Sequence, residues 1–290
     1  MSGIQVSRVW LITGAGGGLG RTIAETALAA GHRVVATARD IHHLAELVAR
    51  YGPSVRAVQL DVTEEAQGKE AVNAAVDAFG RLDVLVNNAG YGDTRPFEQV
   101  PSDEFRKLVD TCFFGVVNLT RAALPIMRQQ RSGHIIQISS LGGRTAFPGN
   151  AAYFASKWAI GGFTEGLAQE IAPFGVQVTA LEPGAMRTNW GKRAHAGRPE
   201  LLPDYETSVG ASIKRMEGYW GNESGDPVRV ANVIVKIADA RMLPPHILLG
   251  TDAFQYAFQA EKVRAADAHR WHAITVSTDM DAGPIPELPE

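Results

Sequence analysis

The chain has 290 residues, of which 45% are hydrophobic, and its formal net charge is −3. This slight acidity argues against a nucleic-acid-binding surface and against binding to an anionic membrane. The single cysteine, Cys112, excludes an intrachain disulfide framework. The first apolar run, Val9–Ile12, is too short for a signal peptide, and no apolar stretch approaches the roughly 20 residues that span a bilayer. We therefore expect a cytoplasmic protein.

Short apolar runs alternate with longer amphipathic stretches along the chain. The predicted strands are Val9–Thr13, Val34–Ala38, Val55–Leu60, Val84–Asn87, His134–Ser139, Val176–Leu181 and Ile247–Leu249. The predicted helices are Gly18–Ala30, Ile41–Tyr51, Glu64–Phe79, Ser102–Gln130, Ala151–Pro173 and Pro227–Ala240. Strict alternation predicts an α/β fold: a Rossmann-like, doubly wound parallel sheet of about seven strands with helices on both faces.

One segment interrupts this alternation. Residues 187–225 contain Trp190, Tyr205, Tyr219 and Trp220 among glycines, prolines and charged residues, and a long insertion after the sixth strand is a candidate substrate lid. We predict that residues 1–272 form a single domain that carries this lid. Residues 273–290, which end in a proline-rich and acidic stretch, are predicted to be a flexible tail.

A glycine-rich turn connects the first predicted strand to the first predicted helix. Gly14 suits the tight turn, Gly18 allows a pyrophosphate to approach the backbone, and Gly20 allows close helix packing. The following helix N-terminus stabilises an anion. Gly16 and Leu19 complete the candidate cofactor-binding residues of the turn, although glycines also occur at β-to-α turns that bind nothing.

A tyrosine and a lysine lie four residues apart, so Tyr153 and Lys157 project from the same face of a helix. Ser140 lies 13 residues upstream of Tyr153, at the end of an apolar run. A phenol has a pKa of about 10, and roughly 4 kcal/mol is needed to bring it near 7. An ammonium about 4 Å away supplies about that much at an effective dielectric near 20. We therefore expect Lys157 to lower the pKa of Tyr153, and we take these three residues as the candidate catalytic set.

These motifs, in this order, resemble those of the short-chain dehydrogenase/reductase family, in its compact single-domain branch. The resemblance covers roughly residues 8 to 250. Beyond the glycine turn and the catalytic set, the matching motifs are Asp61-Val62, which resembles the pair that holds the adenine, Asn87-Asn88-Ala89-Gly90, which resembles the stretch beside the cofactor, and Pro183-Gly184 with Thr188, which resembles the nicotinamide-binding motif.

The resemblance implies an NAD(P)-dependent oxidoreductase that acts on a carbonyl and secondary-alcohol pair. Tyr153 would transfer the proton, Ser140 would hydrogen-bond the reacting oxygen, and Lys157 would also hold the nicotinamide ribose. Lyase or epimerase chemistry on the same scaffold and an NADP(H)-binding sensor or scaffold with little turnover are the alternatives. Relatives associate through the helices that here span 111–130 and 151–173, so a homodimer or homotetramer is expected.

One position departs from the family pattern. The family has an asparagine where this chain has Cys112, and that asparagine fixes a water in a proton relay that includes the lysine. Asn118, six residues further along, should point elsewhere. Either a backbone carbonyl and water rebuild the relay, or turnover is slower. We favour Cys112 as a small buried hydrophobic residue over a redox-sensing thiol.

The end of the second strand bears on the choice of cofactor. An acid there would hold the ribose of NAD, whereas an arginine accommodates the 2′-phosphate of NADP. Arg39 favours NADP, while Asp40 suits either a ribose contact or a helix N-cap. We prefer the cap and NADP, with NAD as the alternative.

On the substrate side, the resemblance points to Ser140, Tyr153, Leu141 and Phe147, with Gly142, Tyr91, Met186 and the lid aromatics as further candidates. This mostly apolar set favours a hydrophobic or ring-bearing alcohol or ketone, although each apolar residue also suits an ordinary core. The eight histidines show no metal-ligand spacing, and we expect no metal.

Overall fold

The computed structural model describes residues 7–197 and 199–289. Its centre is a parallel seven-stranded sheet with the strand order β3-β2-β1-β4-β5-β6-β7. The strands are β1 (Val9–Ile12), β2 (Arg33–Ala38), β3 (Val55–Gln59), β4 (Val84–Asn87), β5 (Gly133–Ile138), β6 (Val176–Pro183) and β7 (His246–Leu249). Every predicted strand is present with ends within two residues of the prediction, which confirms the Rossmann-like doubly wound sheet.

Eleven α-helices lie among the described residues. They are α1 (Gly18–Ala29), α2 (Ala45–Tyr51), α3 (Glu65–Phe79), α4 (Ser102–Val109), α5 (Gly115–Gln130), α6 (Ala151–Ile171), α7 (Trp190–His195), α8 (Ala211–Glu217), α9 (Pro227–Ile237), α10 (Thr251–Arg270) and α11 (His272–Val276). Where one helix was predicted over 102–130, a π-helical turn at Asp110–Phe114 separates α4 from α5. Where one was predicted over 41–51, a 3-10 turn at Ile41–Leu44 precedes α2.

The 20-residue helix α10 has no counterpart among the predicted elements. Only Ala253 and Ala257 are buried along it. Its large apolar side chains therefore do not form a single buried stripe that repeats with the period of a helix. The helix therefore gives little periodic signal in the sequence.

Two apolar layers, one on each face of the sheet, hold the strands in place. Side chains alternate between the layers along β1: Trp10 and Ile12 pack with α1 and α9, whereas Val9 and Leu11 pack with α3, α5 and α6. Trp10, Leu11 and Ile12 are fully buried. Full burial of a large apolar side chain contributes about 1.5–3 kcal/mol, so the two layers fix the sheet that carries the site.

The carboxyl ends of the strands meet at one edge of the sheet. The glycine turn follows β1, Arg39 follows β2, Asn88 follows β4, Ser140 follows shortly after β5, and Gly184 follows β6. The strand order reverses between the neighbours β1 and β4. Ligands of doubly wound sheets bind outside the carboxyl ends at such a switch point.

The predicted lid leaves and rejoins the sheet edge at one place. Arg187 N donates to Gly225 O over 2.9 Å, and Gly225 N donates to Ala185 O over 3.0 Å. Helices α7 and α8 lie between these contacts. Residue 198 of the predicted lid and residues 1–6 of the predicted domain lie outside the described residues.

The predicted tail begins with ordered structure. Helix α11 covers 272–276 and so overlaps the start of the segment that was predicted to be flexible, 273–290. Residues 277–289 contain no helix or strand, and residue 290 is not described. Across the described ranges, no helix is both long and apolar enough to cross a membrane.

Candidate active site

Three side chains converge beside the carboxyl ends of β5 and β6. The hydroxyl of Ser140 lies close enough to that of Tyr153 to act on the phenol through a hydrogen bond. Lys157 Nζ lies 5.4 Å from the centre of the Tyr153 ring. The same Nζ donates a 2.7 Å hydrogen bond to the carbonyl of Ile138, the last residue of β5. The structure thus brings together the hydroxyl, phenol and ammonium of the predicted catalytic set.

Burial dominates the electrostatics of this cluster. Loss of hydration raises the pKa of Tyr153 above that of a free phenol, although its hydrogen bond with Ser140 acts in the opposite direction. Burial likewise lowers the pKa of Lys157. The lowering of the Tyr153 pKa that was expected from Lys157 is not seen in this geometry, where burial of the phenol determines the direction of the shift. Tyr153 is a protonated phenol that can donate a proton.

A short turn fixes the position of Ser140. Its Oγ accepts a 2.9 Å hydrogen bond from Gly142 N and so caps the 3-10 turn Leu141–Gly143. This turn packs tightly on α6, since a Cβ added to Gly143 would lie 2.8 Å from Lys157 O. Ser140 and the α6 residues are therefore held at a constant spacing.

Cys112 lies in the π-helical turn between α4 and α5 and is fully buried. Its thiol donates to Tyr91 O over 3.3 Å and accepts from Tyr91 N over 3.4 Å. Burial raises the pKa of this thiol. A Cβ on the neighbouring Gly90 would lie 3.3 Å from the sulfur. These contacts support the small buried residue over the redox-sensing thiol.

The ammonium of Lys157 bonds to a backbone carbonyl rather than to an asparagine side chain. Its partner is the backbone carbonyl of Ile138. A relay that is rebuilt by a backbone carbonyl and water, one of the two alternatives above, requires a group of this kind. Asn118 points away, as predicted: its amide donates to Val62 O over 3.1 Å and stabilises the loop after β3.

The glycine turn is built around Asn88. Its Nδ2 donates to Thr13 O over 2.9 Å, and Ala89 N donates to Thr13 Oγ1 over 3.0 Å. Gly14 has φ +67°, a left-handed conformation that favours glycine. A Cβ on Gly20 would approach Asn88 Nδ2 and Gly14 O to under 3.0 Å. Asn88, predicted as a cofactor residue, therefore holds the backbone of the turn in place through its side chain.

The outer face of the turn fits a pyrophosphate. A Cβ on Gly17 would meet no atom within 4 Å, and Gly18 is exposed at the first residue of α1. The free N–H groups of a helix start favour an anion there. Gly16 is different, because a Cβ there would lie 3.0 Å from His43 Cβ. The Leu19 side chain is buried in the core, so only its backbone faces this opening.

The candidate adenosine-binding residues lie at the ends of β2 and β3. Asp61 accepts hydrogen bonds from Thr63 N and Thr63 Oγ1 over 3.0 and 2.7 Å. Burial alone would raise the pKa of Asp61, but these bonds, together with the positive charges of Arg39 and Lys107, lower it. Val62 is buried beside it. Arg39 is exposed and near enough to act on the Asp61 carboxylate.

Asp40 forms the predicted helix cap. Its Oδ1 accepts a 2.9 Å hydrogen bond from His42 N at the start of the 3-10 turn. Its other oxygen lies 3.7 Å from His43 Nε2. Both carboxylate oxygens of Asp40 therefore already contact groups of the 3-10 turn.

The predicted nicotinamide motif lies between β6 and the lid. Pro183 ends β6, and Gly184 N donates to Leu249 O over 3.0 Å. A Cβ on Gly184 would collide with the carboxylate of Asp252, which also accepts from Ala185 N over 2.8 Å. Thr188 Oγ1 accepts from the backbone N–H that starts α7. The motif is thus clamped by α10 on one side and α7 on the other.

An apolar cleft of about 460 Å³ lies beside α6 and the lid. Its lining includes Phe97, Phe147, Phe154, Tyr205 and Val209. The Phe154 ring centre lies 5.9 Å from that of Tyr153, which places the cleft next to the catalytic set. The predicted substrate residue Phe147 therefore lies in the cleft lining. Leu141, also predicted, instead packs against Ala253 and Ala257 of α10.

An indole from the lid covers the phenol. The ring centres of Trp190 and Tyr153 are 5.0 Å apart, and a Cβ on Gly92 would clash with the same indole. Trp190 therefore fills the space between the loop after β4 and the catalytic helix.

The family model for the short chain dehydrogenases matches residues 8–199. The chain belongs to the short-chain dehydrogenase/reductase family. It is 42% identical over 274 residues to "Oxidoreductase BOA17" of Botryotinia fuckeliana, which covers 94% of this chain and all of that one. It is 36% identical over 242 residues to a 3-ketodihydrosphingosine reductase of Bacteroides thetaiotaomicron, with 82% of this chain and 86% of that one covered.

Solved short-chain dehydrogenases share the whole fold. A Streptomyces avermitilis member superposes with a TM-score of 0.87 at 39% identity, over 95% of this chain and all of that one. A Burkholderia phymatum member in complex with NAD gives 0.72 at 26%, over 97% and 98%. A 3-ketoacyl-(acyl-carrier-protein) reductase of Brucella melitensis complexed with NADH gives 0.71 at 29%, over 84% and 96%. The chain is thus an oxidoreductase with a short-chain dehydrogenase/reductase fold, and two of its solved neighbours are complexed with NAD or NADH.

Two contacts of this short-chain dehydrogenase site were not predicted. Asp252 abuts Gly184 from α10, and the sequence offers no signal for it because α10 itself was not predicted. Trp190 was assigned only to the lid, and its contact with Tyr153 depends on how α7 folds back over the site.

Proposed function

We propose that this chain is an NADP(H)-dependent oxidoreductase that interconverts a carbonyl and a secondary alcohol on a hydrophobic substrate. The observation that carries the proposal is the convergence of Ser140, Tyr153 and Lys157 beside an open glycine turn. A hydroxyl, a proton-donating phenol and an ammonium are the groups that carbonyl reduction needs.

The chain's own residues manage the proton and the developing charge. The bound nicotinamide dinucleotide supplies or accepts the hydride. Tyr153, kept protonated by burial, donates its proton to the carbonyl oxygen during reduction. Ser140 donates a hydrogen bond to that oxygen and stabilises its developing charge. Lys157, held through Ile138 O, keeps N–H donors for the ribose hydroxyls.

The cofactor is assigned to the row of sites along the sheet edge. The pyrophosphate binds at Gly17 and Gly18, where the turn is open. The adenosine binds near Asp61, and the nicotinamide binds near the Gly184 and Thr188 motif. The indole of Trp190 shields the reacting centre from water.

Arg39 supports NADP over NAD. Its guanidinium is exposed beside Asp61, whereas Asp40 is occupied as a helix cap. One hydrogen bond to a charged group contributes roughly 1.5–3 kcal/mol, or about 10- to 150-fold in affinity. Arg39→Ala should weaken NADPH by about that factor and leave NADH nearly unchanged. Asp40→Ser, which retains a capping side chain, is the matched control. A wild type that prefers NADH, or a switch caused by Asp40→Ser, would assign the site to NAD.

The apolar cleft supports a ketone that carries an apolar chain or ring. No charged side chain lines it among the described residues. Two similar proteins are named for 3-keto substrates, a ketodihydrosphingosine and a ketoacyl group. A substrate of this type would place its carbonyl at Tyr153 and its apolar part against Phe147 and Phe154.

A panel of ketones and secondary alcohols, assayed with NADPH and NADH, tests the proposal. Net oxidation of NADPH by a ketone is the expected result. Substrate conversion without net change in NADPH would indicate lyase or epimerase chemistry. Stoichiometric cofactor binding without turnover across the panel would indicate a sensor or scaffold.

We further propose a homo-oligomer that forms through the helices spanning 111–130 and 151–173. Phe114 and Trp158 on these helices are 49% and 44% exposed, which is unusual for large aromatic side chains. Light scattering should give a dimer or tetramer mass, and Phe114→Asp should lower it. A monomeric wild type would contradict the proposal.

A further inference from the structure

Helix α7 carries a guanidinium over the glycine turn. A Cβ placed on Gly18 would lie 3.7 Å from Arg193 Nη2, and it would meet no other atom within 4 Å. A Cβ on the adjacent Gly17 would meet nothing within that distance. Arg193 is therefore the side chain that borders the open face of the turn.

The charge of Arg193 is available to a ligand. The side chain is exposed and forms no ion pair with any residue of 7–197 or 199–289. Arg21, the cation just after the turn, is instead held by Glu25 at 2.7 Å and Glu46 at 3.1 Å. The turn itself, residues 13–20, contains no charged side chain.

The helix that presents Arg193 is anchored on the body of the domain. Thr94 N donates to Ala194 O over 3.3 Å, and Thr94 Oγ1 lies 3.2 Å from His195 Nδ1. Ala194 is buried, and Trp190 packs on Tyr153 at the start of the helix. The backbone that carries Arg193 is thus held in place before a ligand binds, which limits the entropy lost to the ordering of its side chain.

We propose that Arg193 binds the pyrophosphate of the dinucleotide and so attaches the lid to the cofactor. The inference rests on the proposed function, which places that pyrophosphate at Gly17 and Gly18. A guanidinium makes forked, charge-assisted hydrogen bonds to phosphate oxygens. Because NAD and NADP share the pyrophosphate, Arg193 contributes equally to both, unlike Arg39.

Calorimetric titration of the full chain with NADH, NADPH and ADP-ribose tests this assignment. Arg193→Ala should weaken all three ligands by about the same factor, in the range of about 10- to 150-fold for a hydrogen bond to a charged group. Arg193→Gln should lose affinity by a similar factor, because it removes the charge although it keeps a long polar side chain. Lys192→Ala is the matched control: it removes the same charge from the same helix, and Lys192 has no atom within 4 Å of a Cβ placed on Gly17 or Gly18. It should change the dissociation constants only slightly.

If the wild type binds its cofactor, any one of three results would overturn the inference. One is unchanged affinity of both Arg193 variants for all three ligands. Another is a loss confined to NADPH, which would place Arg193 at the 2′-phosphate. The third is an equal loss in Lys192→Ala, which would indicate general electrostatic attraction. Failure of the wild type to bind any of the three ligands would instead overturn the proposed function, and this inference with it.

Discussion

The closest packing in the glycine turn gives a stability prediction for Gly20→Ala. The new methyl group would approach Asn88 Nδ2 and Gly14 O to under 3.0 Å. Neither neighbour can withdraw freely, because Asn88 holds Thr13 O through a 2.9 Å hydrogen bond and Gly14 is backbone. The substitution must therefore displace the Asn88 side chain and shift the Gly14 carbonyl.

Three contributions determine the size of the effect. Overpacking costs about 1–3 kcal/mol, and loss of the Asn88 hydrogen bond costs about 1 kcal/mol. Replacing a glycine inside a helix by alanine returns about 0.5–1 kcal/mol. We therefore expect Gly20→Ala to lower the free energy of unfolding by about 1–3.5 kcal/mol.

Urea denaturation of the protein without added cofactor measures this change directly. Gly17→Ala is the matched control, because Gly17 has extended backbone with φ −177° and open space around it. It should stay within about 0.5 kcal/mol of the wild type. Wild-type stability of Gly20→Ala, or an equal loss in Gly17→Ala, would refute the packing argument.

Three further predictions concern titratable groups outside and inside the site. The hydrogen bond to Glu182 raises the pKa of His246. The protonated imidazole therefore stabilises the fold fully below the ordinary pKa of 6.5, and this stabilisation is lost as the pH rises through the raised pKa. Urea titrations at several pH values should show the loss in the wild type and not in His246→Gln. Burial raises the pKa of Tyr153. The difference in tyrosinate absorbance between the wild type and Tyr153→Phe, measured without cofactor, should therefore develop only at a pH above the pKa of a free phenol. A difference that develops below pH 10 would contradict the conclusion that burial determines the direction of the shift. Because Cys112 is buried with a raised pKa, thiol reagents should label it only after unfolding, and rapid labelling of the native chain would restore the redox-sensor reading.

The sheet and its edge are predictable because local signals mark them. Apolar runs such as those containing Leu11 and Ile136 specify strands, and the alternation with helices then specifies a parallel sheet. The carboxyl ends of parallel strands share one edge. Residues that follow different strands, such as Asn88 and Ser140, can therefore be placed at the same edge from chain position alone.

The contacts made by the lid and by α10 are not predictable in this way. Trp190 reaches Tyr153 and Arg193 reaches Gly18 only because α7 folds back over the sheet edge, and no local pattern encodes that path. Asp252 likewise depends on the docking of α10. The pKa of Tyr153 was expected to fall because spacing reveals a nearby cation but not the depth of burial, which here has the larger effect.

Tyr153→Phe tests the central claim most directly, because it removes only the phenol oxygen from the proposed proton donor. The measurement is the rate of NADPH oxidation with the best ketone of the panel, together with the dissociation constant for NADPH. We expect turnover to fall by about 10²- to 10⁴-fold, the usual contribution of general acid–base catalysis, while cofactor affinity stays nearly unchanged. Near-wild-type turnover in Tyr153→Phe would contradict the account.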